Sequence, residues 1–192
     1  MGVAEETASG ARRRGDTRDR IRDRALARFT EQGYDQTSLR EIAEDLGVTK
    51  AAVYYHFRSK EEIVESLVAE VGTTIEDLIS WVRTAPRTRE TRLELLRRLG
   101  EATAGGMSDV VRCVQQNEVA LQGLPGTENL VHRIKHRLWE AALPEGAGVE
   151  ERLRVRLALM AVLTARHTGS DLGGTPEERA EVAQRVAADL MP

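Results

Sequence analysis

The stretch TSLREIAEDLGVTKAAVYYHFRSK, residues 37–60, predicts two short helices joined by a tight turn. Ser38 and Glu41 have the spacing of a capping box, in which side-chain and backbone groups at a helix start satisfy one another. Gly47 can adopt the left-handed backbone conformation that ends a helix within one residue. Ala43 offers a small side chain where two steeply crossing helices need a close contact. These positions define the first helix and its end.

The second helix of this stretch carries both an anchoring face and a polar face. Thr49 can cap it, and Val53 and Phe57 supply its apolar anchors. Two short helices around a glycine turn form a helix-turn-helix, which lays its second helix in the DNA major groove. A lysine can donate there to guanine O6 and N7, and an alanine can meet a thymine methyl group. The exposed face of the second helix then consists of Lys50, Ala51, Tyr54 and Tyr55.

The motif VYYHF at residues 53–57, followed by SKEE at 59–62, resembles the tetracycline-repressor (TetR) family of bacterial regulators. Residues 21–34 resemble the first helix of that family, so that the specific resemblance covers residues 17 to about 68. It implies DNA contacts at the positions that match the contacts of the family. In this chain those positions are Arg40, Thr49, Lys50, Tyr54, Tyr55, His56 and Lys60.

Several of these residues also have an ordinary structural interpretation. Tyr54 and Tyr55 could be core aromatics, and His56 could have only a structural role. Lys60 falls in the first turn of the next helix, where free backbone N–H groups also favour an anion, so we interpret it as a phosphate anchor. The cluster Arg12–Arg14 could reach the minor groove as an arm or form part of a solvated tail.

Composition limits the classes of protein that this chain can belong to. Of its 192 residues 41% are hydrophobic and only 4% aromatic, which suits helices packed through Leu, Val, Ile and Ala. Residues 1–60 hold 12 Lys and Arg against 10 Asp and Glu, while the remainder holds 16 against 21. This uneven charge predicts local DNA contact through the N-terminal part.

A single cysteine, Cys113, excludes a disulfide within the chain. No apolar run approaches the roughly 20 residues that a membrane-spanning helix needs. The arginines near the N-terminus are not followed by the apolar stretch of a secretory signal. We therefore expect a cytoplasmic protein with no membrane association.

The pattern of caps and apolar stripes predicts an all-α chain of about nine helices. Residues 1–16 lack apolar periodicity and are expected to form a disordered N-terminal arm. Residues 17–63 form the three-helix helix-turn-helix domain. A long fourth helix, opened by a second capping box and ended before Pro86, leads into a helical effector-binding and dimerisation domain, residues 64–192.

The last two predicted helices have the character of a subunit interface. Residues 149–168 are apolar almost all round over part of their length, which requires burial on more than one side. Residues 175–191 carry a stripe rich in small side chains. These two segments predict a homodimer paired through four helices, and the resemblance to the TetR family implies the same arrangement.

The C-terminal domain also holds isolated polar or polarisable groups beside apolar stripes. We predict that they line a pocket for a mostly apolar small molecule, although each could be an ordinary core or surface residue. His132 and His136 have a spacing that metal sites use, but the neighbouring cations disfavour a metal, and no metal or cofactor is expected. The predicted pocket residues are Cys113, Asn117, Trp139, Met160, Thr164 and His167.

Three functional hypotheses follow. The first is a ligand-responsive transcriptional repressor. It binds a palindromic double-stranded DNA operator and releases it when a small molecule binds. The second is a regulator of the same fold that responds to a protein partner instead. The third is a helical enzyme in which the helix-turn-helix is incidental. The Lys50 and Lys60 constellation and the absence of a catalytic motif argue against the third.

Overall fold

The structure, a computed structural model, describes residues 3–122, 124–167 and 172–192, without the side chains of residues 3–15 and 125–129. All regular structure within these ranges is helical, which confirms the predicted fold class. The helices are α1 (Val3–Glu31), α2 (Leu39–Leu46), α3 (Lys50–His56), α4 (Lys60–Thr84), α5 (Arg89–Ala102), α6 (Ser108–Gln116), α7 (Glu118–Leu121), α8 (Pro125–Ala142), α9 (Val149–Thr164) and α10 (Pro176–Leu190).

The local signals at both ends of α2 act as predicted. The Ser38 hydroxyl accepts a hydrogen bond from Glu41 N at 3.2 Å, and the Glu41 carboxylate accepts one from Ser38 N at 2.8 Å. Gly47 has a φ of +64°, the left-handed conformation that allows its N–H to return to the last turn of α2. Thr175 and Glu178 form a capping box at the start of α10. The capping box predicted at the start of α4 is incomplete, because Ser59 Oγ accepts from Glu62 N at 3.3 Å but the Glu62 carboxylate accepts from Arg58 N instead.

Helix α1 differs from its prediction. It begins at Val3, whereas the sequence pattern placed its start at Thr17 and assigned residues 1–16 to a disordered arm. The Ala, Glu and Arg residues of this segment have high intrinsic helix propensity. The prediction relied on the spacing of apolar residues, which does not include this propensity. The side chains of Arg12–Arg14 lie outside the described part of the chain, so the minor-groove arm stays a prediction.

The sequence pattern predicts a helix break at Gly105 and Gly106, and the structure has a kink there. Helix α5 ends at Ala102, and a π-helical turn, Thr103–Met107, leads to α6. Gly106 lies outside helical geometry, with a φ of +105° that favours glycine. The pattern also predicts one helix from Ser108 to about Gln122, which the structure divides at Asn117 into α6 and α7.

Two apolar clusters form the core. One lies in the N-terminal head, where α1, α2, α3 and the first half of α4 pack together with Cys113 and Leu121. The other lies in the C-terminal body, between the second half of α4 and helices α5, α8, α9 and α10. Helix α4 therefore contributes to both clusters and joins them. Within the described ranges, no helix is both long enough and apolar enough to cross a membrane.

Asn117 connects the head to the body through a buried side-chain amide. Its Oδ1 accepts a hydrogen bond from Tyr34 N at 2.7 Å, and its Nδ2 donates to Phe29 O at 3.0 Å and to Cys113 O at 2.8 Å. The first two partners belong to the end of α1 and the loop after it, and the third belongs to α6. One side chain thus fixes α6 against the head.

We expect Asn117→Ala to lower the free energy of unfolding by about 1–3 kcal/mol, because the buried N–H of Tyr34 loses its acceptor. Asn117→Asp keeps that acceptor and loses the two donated hydrogen bonds. Urea unfolding followed by circular dichroism would measure both variants. Gln116→Ala, at the exposed neighbouring position, is the control and should stay within about 0.5 kcal/mol of the wild type. Equal stability of the Asn117→Ala and Gln116→Ala variants would show that the junction is not stabilising.

Cys113 lies beside this junction and is expected to be chemically inert in the native state. Burial raises the pKa of its thiol to about 11, so that at pH 8 only about one molecule in a thousand carries the thiolate. The stability that this buried neutral thiol contributes is full below the unfolded pKa of about 8.5 and falls as the pH rises toward 11.

A thiol-specific reagent at pH 8 should therefore label native Cys113 at least a hundredfold more slowly than the urea-unfolded chain. Val119→Cys in a Cys113→Ser background is the matched control, because position 119 is 84% exposed and its thiol should react at the rate of a free cysteine. Equal labelling rates for the native wild type and this control would contradict the buried environment.

Candidate nucleic-acid interface and ligand cavity

Helix α3 has one face in the core and one face in solvent. The Thr49 hydroxyl accepts a hydrogen bond from Ala52 N at 3.2 Å and so caps the helix start. Val53 and Phe57 are fully buried in the head core. Tyr54 and Tyr55 are 45% and 69% exposed, so neither is a core aromatic.

The exposed face of α3 is also partly ordered by its own contacts. Lys50 Nζ lies 5.3 Å from the centre of the Tyr54 ring, within the range of a cation–π interaction. The rings of Tyr55 and His56 meet edge to face with centroids 5.2 Å apart. Ala51 is exposed between these groups. The side chains predicted to read DNA therefore share one accessible surface.

Lys60 has a different environment from the one predicted for a phosphate anchor. Its Nζ donates a hydrogen bond to Tyr34 O at 2.6 Å and lies 4.3 Å above the Tyr34 ring. The Tyr34 hydroxyl in turn donates to Glu61 at 2.8 Å, and burial together with this carboxylate raises the pKa of Tyr34. The Lys60 ammonium thus holds the loop after α1, and a direct phosphate contact would compete with this interaction.

Arg40, the remaining predicted contact, lies on α2. Its side chain is exposed and pairs with Glu44 one turn later at 2.7 Å, an ion pair weak enough in water to be exchanged for a phosphate. The end of α2 is fixed more firmly, because Asp45 accepts hydrogen bonds from both Arg28 and Arg24 of α1. These two guanidinium groups, Arg28 first, hold the pKa of the Asp45 carboxyl well below its usual range.

The structure adds two cations that the sequence analysis did not single out. Arg58 is exposed directly after Phe57, and its position behind the recognition helix was visible in the sequence. Arg18 lies with its Cζ 4.7 Å from the centre of the Phe57 ring, although the two residues are distant in the chain. That proximity depends on how α1 packs against α3, and no local pattern signals it.

A cavity of about 80 Å³ lies in the body between α4, α6, α8 and α9. Its surface is almost entirely aliphatic and holds three polar side chains. The residues that line it are Val68, Val71, Ile75, Val110, Val111, Val114, Gln115, Val131, Ile134, Lys135, Leu138, Met160, Leu163 and Thr164.

Two of the six predicted pocket residues, Met160 and Thr164, line this cavity. His167 lies near it, since its Nε2 is 3.3 Å from Oε1 of the cavity residue Gln115, and burial lowers the pKa of its imidazole.

The other three predicted pocket residues do not line the cavity. Cys113 and Asn117 belong to the junction with the head. Trp139 packs against the body core beneath Arg156, whose Cζ is 4.8 Å from the ring. The sequence placed these three residues with the others because helical spacing does not tell which apolar surface a polar residue faces.

Helices α9 and α10 present a second apolar surface to solvent. Leu153 and Leu157 of α9 and Val182 and Val186 of α10 are each about half exposed. Leu159, by contrast, is fully buried inside the protomer, although it lies in the segment 149–168 that was predicted to form the subunit interface. Helix α9 thus has two apolar faces, one packed within the protomer and the other open to solvent.

His132 and His136 lie on the exposed face of α8, with ring centroids 6.5 Å apart. No third His, Cys, Asp or Glu completes a metal-binding group with them in the described ranges.

Comparison with known proteins identifies the family of the N-terminal head. Residues 21–67 match the family model of bacterial regulatory proteins of the tetR family. The biofilm operon icaADBC HTH-type negative transcriptional regulator IcaR of Staphylococcus aureus (strain Newman) is 47% identical over 51 residues, which cover 27% of each chain. The HTH-type transcriptional regulator TtgW of Pseudomonas putida is 42% identical over 67 residues, 35% of this chain and 48% of the relative. The chain therefore matches between about a quarter and a half of the length of these relatives.

The fold is shared over nearly the whole chain. A TetR-family transcriptional regulator from Bordetella parapertussis 12822 superposes with a TM-score of 0.68 over 91% of this chain and 93% of the other, at 22% identity. The helix-turn-helix match and the shared fold are in agreement with the resemblance found in the sequence. Residues 21–67 of this chain therefore form a helix-turn-helix domain of the tetR family of bacterial regulatory proteins.

Proposed function

We propose that the chain is a homodimeric transcriptional regulator that binds a palindromic DNA operator and releases it when a small molecule enters the body cavity. The observation that carries this proposal is the exposed polar face of α3, with Lys50, Tyr54 and Tyr55 in solvent and the opposite face buried. A helix of this kind fits the major groove, where its side chains reach base edges and phosphates.

Dimerisation is supported by the open stripe on α9 and α10. Leu157 and Val186 are 49% and 48% exposed, and the groove beside Val186 is lined by apolar and small residues together with Glu178 and Arg179. Pairing two copies across this surface removes apolar area from water, which is the main favourable term in association. Two heads in a dimer would read two half-sites about one helical turn apart.

Release by a small molecule is supported by the composition and position of the cavity. Eleven of its fourteen lining side chains are aliphatic or Met, which suits a mostly apolar effector. At about 80 Å³ the cavity is far smaller than a drug-sized molecule needs, so binding requires the surrounding helices to move apart. Helix α6 lines the cavity and ends at the Asn117 junction, so its movement changes how the head is held.

The effector thus favours one of two arrangements, and operator affinity falls through the difference. Repression is the mode of action of the relative IcaR and is proposed here for this chain. Control by a protein partner is the alternative, and it is less favoured because it leaves the apolar cavity without a role. A thermal-shift screen with small molecules separates the two modes of control, since a ligand that binds only the native state raises the melting temperature. Such a regulator acts where the bacterial DNA is, in the cytoplasm.

We expect Lys50→Ala and Tyr55→Ala each to weaken operator binding by about 1–3 kcal/mol without lowering stability. The operator would first be obtained by selecting bound fragments from the source genome. Fluorescence anisotropy across a salt series should then show that Lys50→Ala reduces the slope of log affinity against log salt by about one. Lys60→Ala should instead lower the melting temperature, because Tyr34 O loses its donor.

Arg133→Ala is the control for these variants, since it removes an exposed cation from α8 in the body. Its operator affinity and salt slope should equal those of the wild type. If Lys50→Ala and Tyr55→Ala bind as the control does, α3 is not the helix that contacts DNA.

We expect Leu157→Glu to convert the dimer into a folded monomer. The carboxylate is tolerated at a half-exposed position of the protomer but is costly when a partner covers it. Sedimentation velocity at micromolar concentration would measure the change, with Val119→Glu as the matched control at an exposed site away from α9 and α10. A wild type that sediments as a monomer, or a Leu157→Glu variant that stays dimeric, would contradict the proposed interface.

A further inference from the structure

The three polar side chains that line the cavity offer hydrogen-bond donors, and none of them is a carboxylate. Of the three, Thr164 is already satisfied, because its hydroxyl donates to Met160 O in the same helix at 2.9 Å. Gln115 and Lys135 remain. The chemistry of these two groups therefore decides which polar group of a ligand the cavity can hold.

Gln115 is oriented by a contact outside the cavity. Its Oε1 lies 3.3 Å from Nε2 of His167, so the imidazole can donate to this oxygen. The amide nitrogen of Gln115 then keeps both hydrogens for another acceptor, and no group in the described ranges accepts from it. The amide is thus presented as a donor to whatever occupies the cavity.

Lys135 is the one ionisable side chain among the lining residues. It makes no ion pair with any carboxylate of the described part of the chain. Arg137, two residues further along α8, does have such a partner and lies 2.6 Å from Glu76. The Lys135 ammonium is therefore available to pair with an anionic ligand. Arg137, the neighbouring cation, is already paired with Glu76.

We propose that the effector is an amphiphile with an aliphatic body and a single carboxylate, and that Lys135 and Gln115 bind the carboxylate. This inference rests on the proposed ligand-binding role of the cavity and specifies its ligand class. A carboxylate accepts from both donors and gains a charge-assisted hydrogen bond from Lys135. An ammonium group would face an unpaired cation, and a second charge would lie against aliphatic side chains without a partner.

The aliphatic lining sets a second condition. Every additional buried methylene should increase affinity about fourfold until the chain fills the opened cavity. Affinity is therefore expected to rise from hexanoate to octanoate, whereas acetate, which has no aliphatic chain to bury, should not bind measurably.

Isothermal titration of the full-length chain with octanoate, 1-octanol and octylammonium tests this assignment, because the three probes share one chain and differ in the head group. Octanoate should bind at least tenfold more tightly than 1-octanol, and octylammonium should bind least. Lys135→Met should weaken octanoate about tenfold and leave 1-octanol within twofold. Arg133→Met, a cation on the same helix that does not line the cavity, is the matched control and should leave both unchanged.

Carboxylate recognition is overturned if 1-octanol or octylammonium binds the wild type as tightly as octanoate, or if Lys135→Met and Arg133→Met weaken octanoate equally. Val111→Trp, which fills the cavity, should abolish octanoate binding, and unchanged affinity would place the ligand elsewhere and also overturn the proposal.

Operator anisotropy in the presence of each probe separates this inference from the proposed function. Octanoate that binds through Lys135 and releases the operator supports both. Octanoate that binds through Lys135 without changing operator affinity supports the ligand class and contradicts regulation through the cavity. Release of the operator by octylammonium or 1-octanol, with no effect of octanoate, contradicts the ligand class and supports regulation.

Discussion

The buried amide of Asn117 is the constraint on which the relation between head and body depends. Apolar side chains hold the two clusters together, but apolar contacts are non-directional and permit one surface to slide on another. The three hydrogen bonds of Asn117 are directional, and two of them lead to backbone groups of the head. The same residue ends α6, whose other side lines the cavity. The position of the head is therefore set at the end of a helix that also lines the body cavity.

Under the proposed mechanism, this arrangement would let a modest energy have a large effect on DNA binding. A coupling between two sites of a regulator is typically about 1–3 kcal/mol. Rearranging one buried hydrogen-bonding group costs a similar amount, about 1–3 kcal/mol, whereas emptying a core of several leucines costs far more. In the proposed mechanism, a shift of α6 would change the Asn117 contacts together with the packing of the helices that line the cavity. The clamp of Arg24 and Arg28 on Asp45 holds α1 and α2 together within the head.

The features predicted correctly from the sequence are those set by short-range chemistry. The caps at Ser38, Thr49 and Thr175 and the left-handed Gly47 each depend on residues within four positions, and all are in the structure as predicted. The features that the sequence did not reveal concern residues whose surroundings come from distant segments. Asn117 and Leu159 both lie on predicted helices, but spacing does not reveal that one joins the head and the other fills the body core. The contact of Lys60 with Tyr34 was not predicted, because the two residues are remote in the chain.

The π-helical turn between α5 and α6 has a geometric consequence for both the cavity and the junction. Gly106 has a φ of +105°, so the kink at this residue sets the direction in which α6 leaves α5. The valines of α6 that face the cavity and the amide that faces the head both depend on that direction. A Cβ added at Gly105 would meet no atom within 4 Å, so this position has room for a side chain. The space at Gly106 is equally open, but its positive φ would strain any residue other than glycine. One glycine therefore fixes the direction of α6 relative to both the cavity and the head.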